Sequence, residues 1–326
     1  MAKLTPTQRE ALQRQLRVRV VLEQKLEQEI RRTFRRYTSQ VTQFVRDSGV
    51  FYFPSEMKQE LKTLLVRHYK RTARLFISFT RDSATKHWNT LQVNTKAWDY
   101  KVETKDYGEP ELDTRIRIRL EELFEKISTE RAGSITATTE LEIRRYIDKI
   151  DTEAFRAGIM LSYEDIAKFT REYYYKRINS RALAISLTET TYPIETTKKI
   201  EVEEAIDDLN DDQLNDLSDT DDPDILAALD ELSDGIDITE EDIADAGGLS
   251  ALLAELTVTK TWIAVLDDVT RPEHADADGQ EVPADEPFEV GGEALDYPGD
   301  DGGSPENVCN CRCSTIYSDG RDGEGE

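Results

Sequence analysis

Apolar residues recur near the start of the chain at Leu12, Leu16, Val20, Leu26, Ile30, Phe34, Tyr37, Val41 and Phe44. Most steps are three or four residues, which aligns them on one face of a helix. Thr5-Pro6 supplies a start, a capping residue followed by a proline at the first helical position, and Asp47-Ser48-Gly49 supplies a stop. The pattern predicts one helix of about forty residues, and a stripe that long needs other helices or another chain to cover it. Pro54-Ser55 opens a second helix, with Leu61, Leu64, Leu65, His68, Tyr69, Thr72, Leu75, Phe76 and Phe79 on its periodic face, so His68 reads as a helix-face histidine. Residues 83–111, with Trp88, Trp98 and Tyr107 among polar residues, read as an irregular connector, and His87 has no metal-like neighbour.

A third pattern runs from Leu112 to Arg131 through Ile116, Leu120, Leu123, Phe124 and Ile127, and Gly133 is read as its break. A fourth runs from about Thr139 through Leu141, Ile143, Tyr146, Ile147, Ile150 and Phe155, with Gly158 at its C-terminal stop. Ser162-Tyr163-Glu164-Asp165 has the form of a capping box for a helix continuing through Ile166, Phe169, Tyr173 and Tyr174. Asn179 to Thr191 forms a further helix.

From Thr257 the pattern changes. Thr257 to Leu266 is β-rich, Asp278-Gly279 is a tight-turn signal, and Phe288 with Val290 suggests a short strand. Gly291-Gly292 and Pro298-Gly299-Asp300 punctuate loops, and a Cys-x-Cys-x-Cys run at Cys309, Cys311 and Cys313 closes the stretch as a strand. The expected fold class is α+β, predominantly α: a long-helix N-terminal region followed by a small β-rich, turn-rich C-terminal module. The expected organisation is residues 1–132, 133–200, 201–256 as an acidic insert, 257–317 as the module, and 318–326 as an acidic tail.

Charge sharpens that division. Residues 1–200 carry 38 Lys and Arg against 28 Asp and Glu, whereas residues 201–326 carry 4 against 39. Such asymmetry suggests different partners for the two ends, or solvated surfaces on both. On the first helix, Arg14, Arg17, Arg31, Arg32, Arg35 and Arg36, with Arg9, Arg19 and Lys25, form a basic face suited to DNA or an acidic protein surface. Aromatic stacking residues are not interleaved there, so a solvated face is the competing reading. Residues 201–250 hold twenty Asp and Glu and no Lys or Arg, which favours expansion. Asp222-Pro223 and Thr239 each open a short helix within this insert. Asp230, Asp234, Gly235 and Glu241 fall at four positions of a calcium-binding loop, but Leu232 and Asp237 break that pattern, so an acidic insert that solvates or binds a basic partner is the preferred reading. No apolar run is long enough to cross a bilayer, the start lacks the apolar core of a signal peptide, and three crowded cysteines do not resemble an extracellular disulfide framework. A soluble cytoplasmic protein without membrane contact is expected.

The C-terminal order resembles the phage minor head proteins of the Mu F-like, or SPP1 gene-7-like, head morphogenesis family. The residues that carry the resemblance are Lys260, Trp262, Asp267, Arg271, His274, Asp278, Gly279, Pro298, Gly299, Asp300, Asn310, Cys311, Arg312 and Cys313. A helical segment, Ile185 to Thr190, is similar to the family's Ile-Ala-Arg-Thr-Glu-Thr, supplying Thr188, Glu189 and Thr190 but Leu187 in place of the arginine. Val269 stands where the family often has arginine, and Cys309 where it usually has an aliphatic residue. The resemblance covers roughly residues 135–200 and 258–317 and leaves the first 130 matched only in being helical. It implies a low-copy head component associated with the portal protein, and with scaffold or major capsid protein as further partners. Such a component would support procapsid assembly and influence DNA packaging or exit. The implied location is the virion, in the head interior or at the portal vertex, after assembly in the host cytoplasm.

Two other functions compete. One is a DNA-binding protein packaged with the genome through its basic half. The other is a zinc- or thiol-dependent enzyme. Zinc is the candidate cofactor, with His274, Cys309, Cys311 and Cys313 as candidate ligands. On a flat strand, same-face neighbours lie about 6.5–7 Å apart, too far for three cysteines to share one ion. Two cysteines with His274 and an aspartate, or packed thiols with His274 bonded to Asp267, are the alternatives. No oxyanion-hole loop or third orienting group accompanies the cysteines and histidine. Some relatives carry a toxin or ADP-ribosyltransferase domain after the module, and with the sequence ending at Glu326 none is expected here. The expectation is binding rather than turnover, with no catalytic residues.

Overall fold

The computed structural model describes residues 6–76, 114–212, 258–267 and 270–318. Among these, helices α1 (Pro6–Arg36), α2 (Thr38–Ser48), α3 (Ser55–Phe76), α4 (Thr114–Arg156) and α5 (Tyr163–Asp212) precede a module of short elements. The module contains β1 (Thr259–Ile263), α6 (Pro272–Asp276), β2 (Glu281–Pro283), β3 (Phe288–Val290), β4 (Glu293–Leu295), α7 (Pro305–Val308) and β5 (Ser314–Ser318). The protein is thus α+β and mostly α, as its patterning predicts. The sites read at His87, Trp88, Trp98, Tyr107 and in the insert from Asp222 to Glu241 lie outside the described residues.

The chain forms two compact units. One comprises residues 16–74 and 119–193; the other comprises residues 1–15, 75–118 and 194–326. The chain crosses between them four times, the last time after Pro193, inside α5, while the expected division after residue 132 falls inside α4.

In the first unit the long N-terminal helix breaks only at Tyr37 and ends at Gly49, whose φ of 73° is the left-handed conformation glycine adopts without strain. Its buried stripe is Leu22, Leu26, Ile30, Phe34, Val41 and Val45. Val20 is exposed and Arg19 buried, the reverse of their expected placement. The stripe drifts around the helix, and a spacing of three or four residues leaves its phase open by one position.

Gly133 does not end a helix. α4 runs through it for 43 residues, and among the described residues the only atoms a side chain there would approach are the terminal ones of exposed Lys58. The two helices expected between Ser162 and Thr191 are likewise one, α5. Its start is the predicted capping box: Asp165 N donates to Ser162 Oγ at 3.2 Å, and Ser162 N donates to Asp165 Oδ2 at 3.1 Å. Leu141, Phe155 and Phe169 were placed on apolar faces but are exposed, Phe155 by 74%.

The core of this unit also draws on the non-helical Phe51-Tyr52-Phe53 segment. Phe51 and Phe53 pack with Phe34 and Tyr174, ring centroids 5.1–6.4 Å apart. Two α4 side chains satisfy its backbone: Arg144 Nε donates to Phe51 O at 2.7 Å, and Phe53 N donates to Glu140 Oε1 at 2.6 Å. Buried irregular backbone must find such partners.

In the module, β1 is the centre of an antiparallel sheet ordered β2-β1-β5, and β3 pairs with β4 in a second, two-stranded sheet. A small core of Trp262, Ala264, Ala277, Phe288, Val290, Leu295, Cys311 and Cys313 lies between them.

Candidate functional site

The cysteine-rich stretch is not a strand. β5 begins only at Ser314, after the last cysteine. Cys309 ends α7, and Asn310 takes φ 57°, a left-handed turn that asparagine tolerates better than most residues. The turn removes the alternation expected for an extended run. Cys311 and Cys313 are consequently free of the spacing of a flat strand, and both approach α6. Cys311 Sγ lies 3.6 Å and Cys313 Sγ 3.4 Å from His274 Nδ1. The three ligating atoms fall within 4.8 Å of one another, and all three residues are buried. Cys309 is not part of this group; its backbone carbonyl accepts a hydrogen bond from Arg271 Nη2 at 2.5 Å.

Asp267 does not bond His274 as the packed-thiol alternative supposed. It is bound by Arg312 and Thr270. His274 is 2% exposed, packs edge-on to Trp262 at 5.6 Å, and its Nε2 has no hydrogen-bond partner among the described residues. A hydrogen bond from Cys313, then one involving His274, draws the Cys311 thiol well below the usual thiol range, against the opposing effect of burial. Asp267, Thr270, Arg271, Asn310 and Arg312 line the small pocket that the three residues border.

The remaining motif residues build the frame around this group. Gly279, at φ 85°, donates to Trp262 O at 2.8 Å, and Asp278 Oδ1 accepts from Ala264 N at 3.0 Å, so the Asp-Gly turn closes onto the end of β1. In the Pro298-Gly299-Asp300 loop, Gly299 has φ 83° and Asp300 accepts from Asp296 N and Gly302 N. Lys260 Nζ donates to Asp296 O at 3.0 Å and sits 5.1 Å from the Phe288 ring centroid. Burial lowers its pKa. These residues shape the fold of the module.

The structure adds residues that the motif did not identify. α5 lies along the outer edge of β5 within this unit. Glu195 Oε2 accepts from Thr315 N at 2.9 Å, and Lys198 Nζ donates to Thr315 O at 3.1 Å and to Ser314 Oγ at 2.7 Å. The two side chains also bond one another, 3.0 Å apart and at most 2% exposed. They satisfy the edge strand as a neighbouring strand would. The signal in the sequence was a lysine three residues after a glutamate on a helix, too common to single out.

Thr188, Glu189 and Thr190 lie instead in the helical unit. The Tyr69 hydroxyl donates to buried Glu189, whose pKa burial raises, and Thr190 Oγ1 bonds His68 Nε2 at 3.1 Å. The adjacent Thr191 Oγ1 accepts from buried Arg19 at 2.6 Å. Of the basic-face residues, Arg17, Arg32, Arg35 and Arg36 are exposed, Arg14 and Arg31 half-buried, and Arg31 and Arg36 pair with Glu27 and Glu60.

A turn-rich α+β module carrying this buried Cys–Cys–His group is the class the geometry defines. Residues 236–316 match the family model described as phage Mu protein F like protein. A second likeness is to the NAD(+)--arginine ADP-ribosyltransferase EFV of Enterococcus faecalis, 41% identical over 61 residues. That match spans 19% of this chain and 12% of the relative's length. No solved structure matches. Among the described residues, no helix is long and apolar enough to cross a membrane.

Proposed function

We propose that this protein is a phage minor head protein that associates with the portal, supports procapsid assembly and resides in the virion, where it influences DNA packaging or ejection. The supporting observation is the Mu F-like match over residues 236–316, within which the motif residues from Lys260 to Cys313 form one continuous frame. In this reading the role is binding rather than turnover, as that of a head component would be. The helical unit is the part assigned to docking. Its exposed residues include Arg32 and Arg35 on α1, Phe155 in the last turn of α4 and Met160 between α4 and α5, the last two 74% and 87% exposed. DNA binding is the lesser reading, since Arg31 and Arg36 on the proposed face already have carboxylate partners.

Co-purification of the full chain with the portal protein tests this. Retention is expected, with weaker retention for Arg32→Glu/Arg35→Glu or Phe155→Asp/Met160→Asp. A full chain that does not associate with portal or procapsid would overturn the reading. Salt-sensitive binding to duplex DNA without portal association would favour the DNA-binding alternative.

A further inference from the structure

We propose that His274 Nδ1, Cys311 Sγ and Cys313 Sγ hold one zinc ion that ties α6 to the segment leading into β5. The inference concerns the module alone and stands apart from the portal reading.

The distances carry it. Zinc binds thiolate sulfur at about 2.3 Å and imidazole nitrogen at about 2.1 Å in tetrahedral sites, so such a sulfur and nitrogen lie about 3.6 Å apart. The two observed separations, 3.6 and 3.4 Å, lie close to that value, and all three ligand atoms fall within 4.8 Å of one another. Hydrogen bonding alone accounts for less. Neutral Nδ1 presents one in-plane lone pair, so it accepts from one thiol and not from both. A shared ion satisfies both sulfurs and the nitrogen together. The donor set, two soft sulfurs and one imidazole, suits zinc better than magnesium or calcium.

Metal binding would convert the two thiols to thiolates and release two protons to solvent. His274 would retain its proton on Nε2. Three protein ligands leave one tetrahedral position, and a water molecule at the bordering pocket is assigned to it. The module has a reason to use such a tie. Its apolar core is small, and the ligands come from segments more than thirty residues apart.

The test uses the full chain, purified under reducing conditions without chelator. Its zinc content is measured by plasma mass spectrometry, and cobalt(II) is then added to the metal-depleted protein. One zinc per chain and a thiolate-to-cobalt charge-transfer band are expected. Cys309→Ser should retain both. Cys311→Ser, Cys313→Ser and His274→Asn should weaken zinc binding by at least the roughly 10–100-fold that loss of an outer-shell partner produces. The cobalt spectrum of the unmutated protein stands even if those variants misfold. A reduced, folded wild-type chain that takes up neither metal would overturn the proposal. So would a Cys309→Ser loss equal to that of Cys311→Ser.

Discussion

The two units bury polar groups in different ways. In the helical unit, buried polar side chains sit beside a large aromatic and aliphatic core, and several are neutral: His68 with Thr190, and the Tyr69 hydroxyl on Glu189. In the other unit, the Lys198–Glu195 ion pair completes a sheet edge beside a core of few apolar side chains. Large cores tolerate a lost polar contact because packing still specifies the fold. A small module depends more on individual polar contacts. The difference teaches where each unit should fail.

The sharpest break in that comparison is Lys198→Met. It leaves Glu195 charged, buried and without its cation, a change that costs about 3–5 kcal/mol in comparable sites. Hydrogen exchange should show protection lost across β1 and β5, with α1 to α3 protected. Leu26→Ala, in the helical core at 0% exposure, should cost roughly 2–5 kcal/mol and reverse that pattern. Equal protection of β5 in Lys198→Met and the unmodified chain would show that the pair does not hold the edge.

A smaller effect follows from acid. Burial, followed by the charges of Arg71 and Lys25, lowers the His68 pKa from 6.5 to about 3. The native state therefore keeps His68 neutral while the unfolded chain takes up a proton below pH 6.5. Stability contributed by the neutral form is present above that pH and falls as pH drops towards 3, by about 1.4 kcal/mol per pH unit. Between pH 7 and pH 5 the loss should be about 2 kcal/mol. Urea unfolding of wild type and His68→Gln at both pH values isolates it: the glutamine variant should lose less. An identical loss in both proteins would assign the acid sensitivity to carboxylates elsewhere.

Legibility in the sequence followed the same division. Helical periodicity located α1, α3, the Gly49 and Gly158 ends and the capping box at Ser162. It could not fix phase, so Val20 and Arg19 exchanged roles, and it split α4 at Gly133, a glycine that the helix carries in its interior. In the module, the order of motif residues identified the family and named His274, Cys311 and Cys313, but alternation misled on their geometry. A single left-handed residue converts an apparent strand into a turn, and no periodicity reports that. Lys198 and Glu195 were not legible because their partners lie more than a hundred residues away.

The smallest effects test whether turns serve the two regions alike. Gly158, at φ 74°, ends α4, and a side chain built there meets nothing within 4 Å. Gly158→Ala should cost about 1–2 kcal/mol, the penalty of a left-handed alanine, without altering local structure elsewhere. Asn310 has a similar φ but stands between Cys309 and Cys311. Asn310→Ala should carry a smaller penalty, since asparagine is itself only partly suited to this region. Its consequence should differ in kind: as the turn relaxes towards an extended conformation, Cys311 moves away from His274. The larger drop in unfolding midpoint is expected for Gly158→Ala, with weakened cobalt binding only in Asn310→Ala. Unchanged cobalt binding would mean that flanking contacts, such as Arg271 on the Cys309 carbonyl, hold the cysteines without the turn. Asn310→Gly separates these causes, because glycine keeps the left-handed turn while removing the side chain, and it should bind cobalt as wild type does.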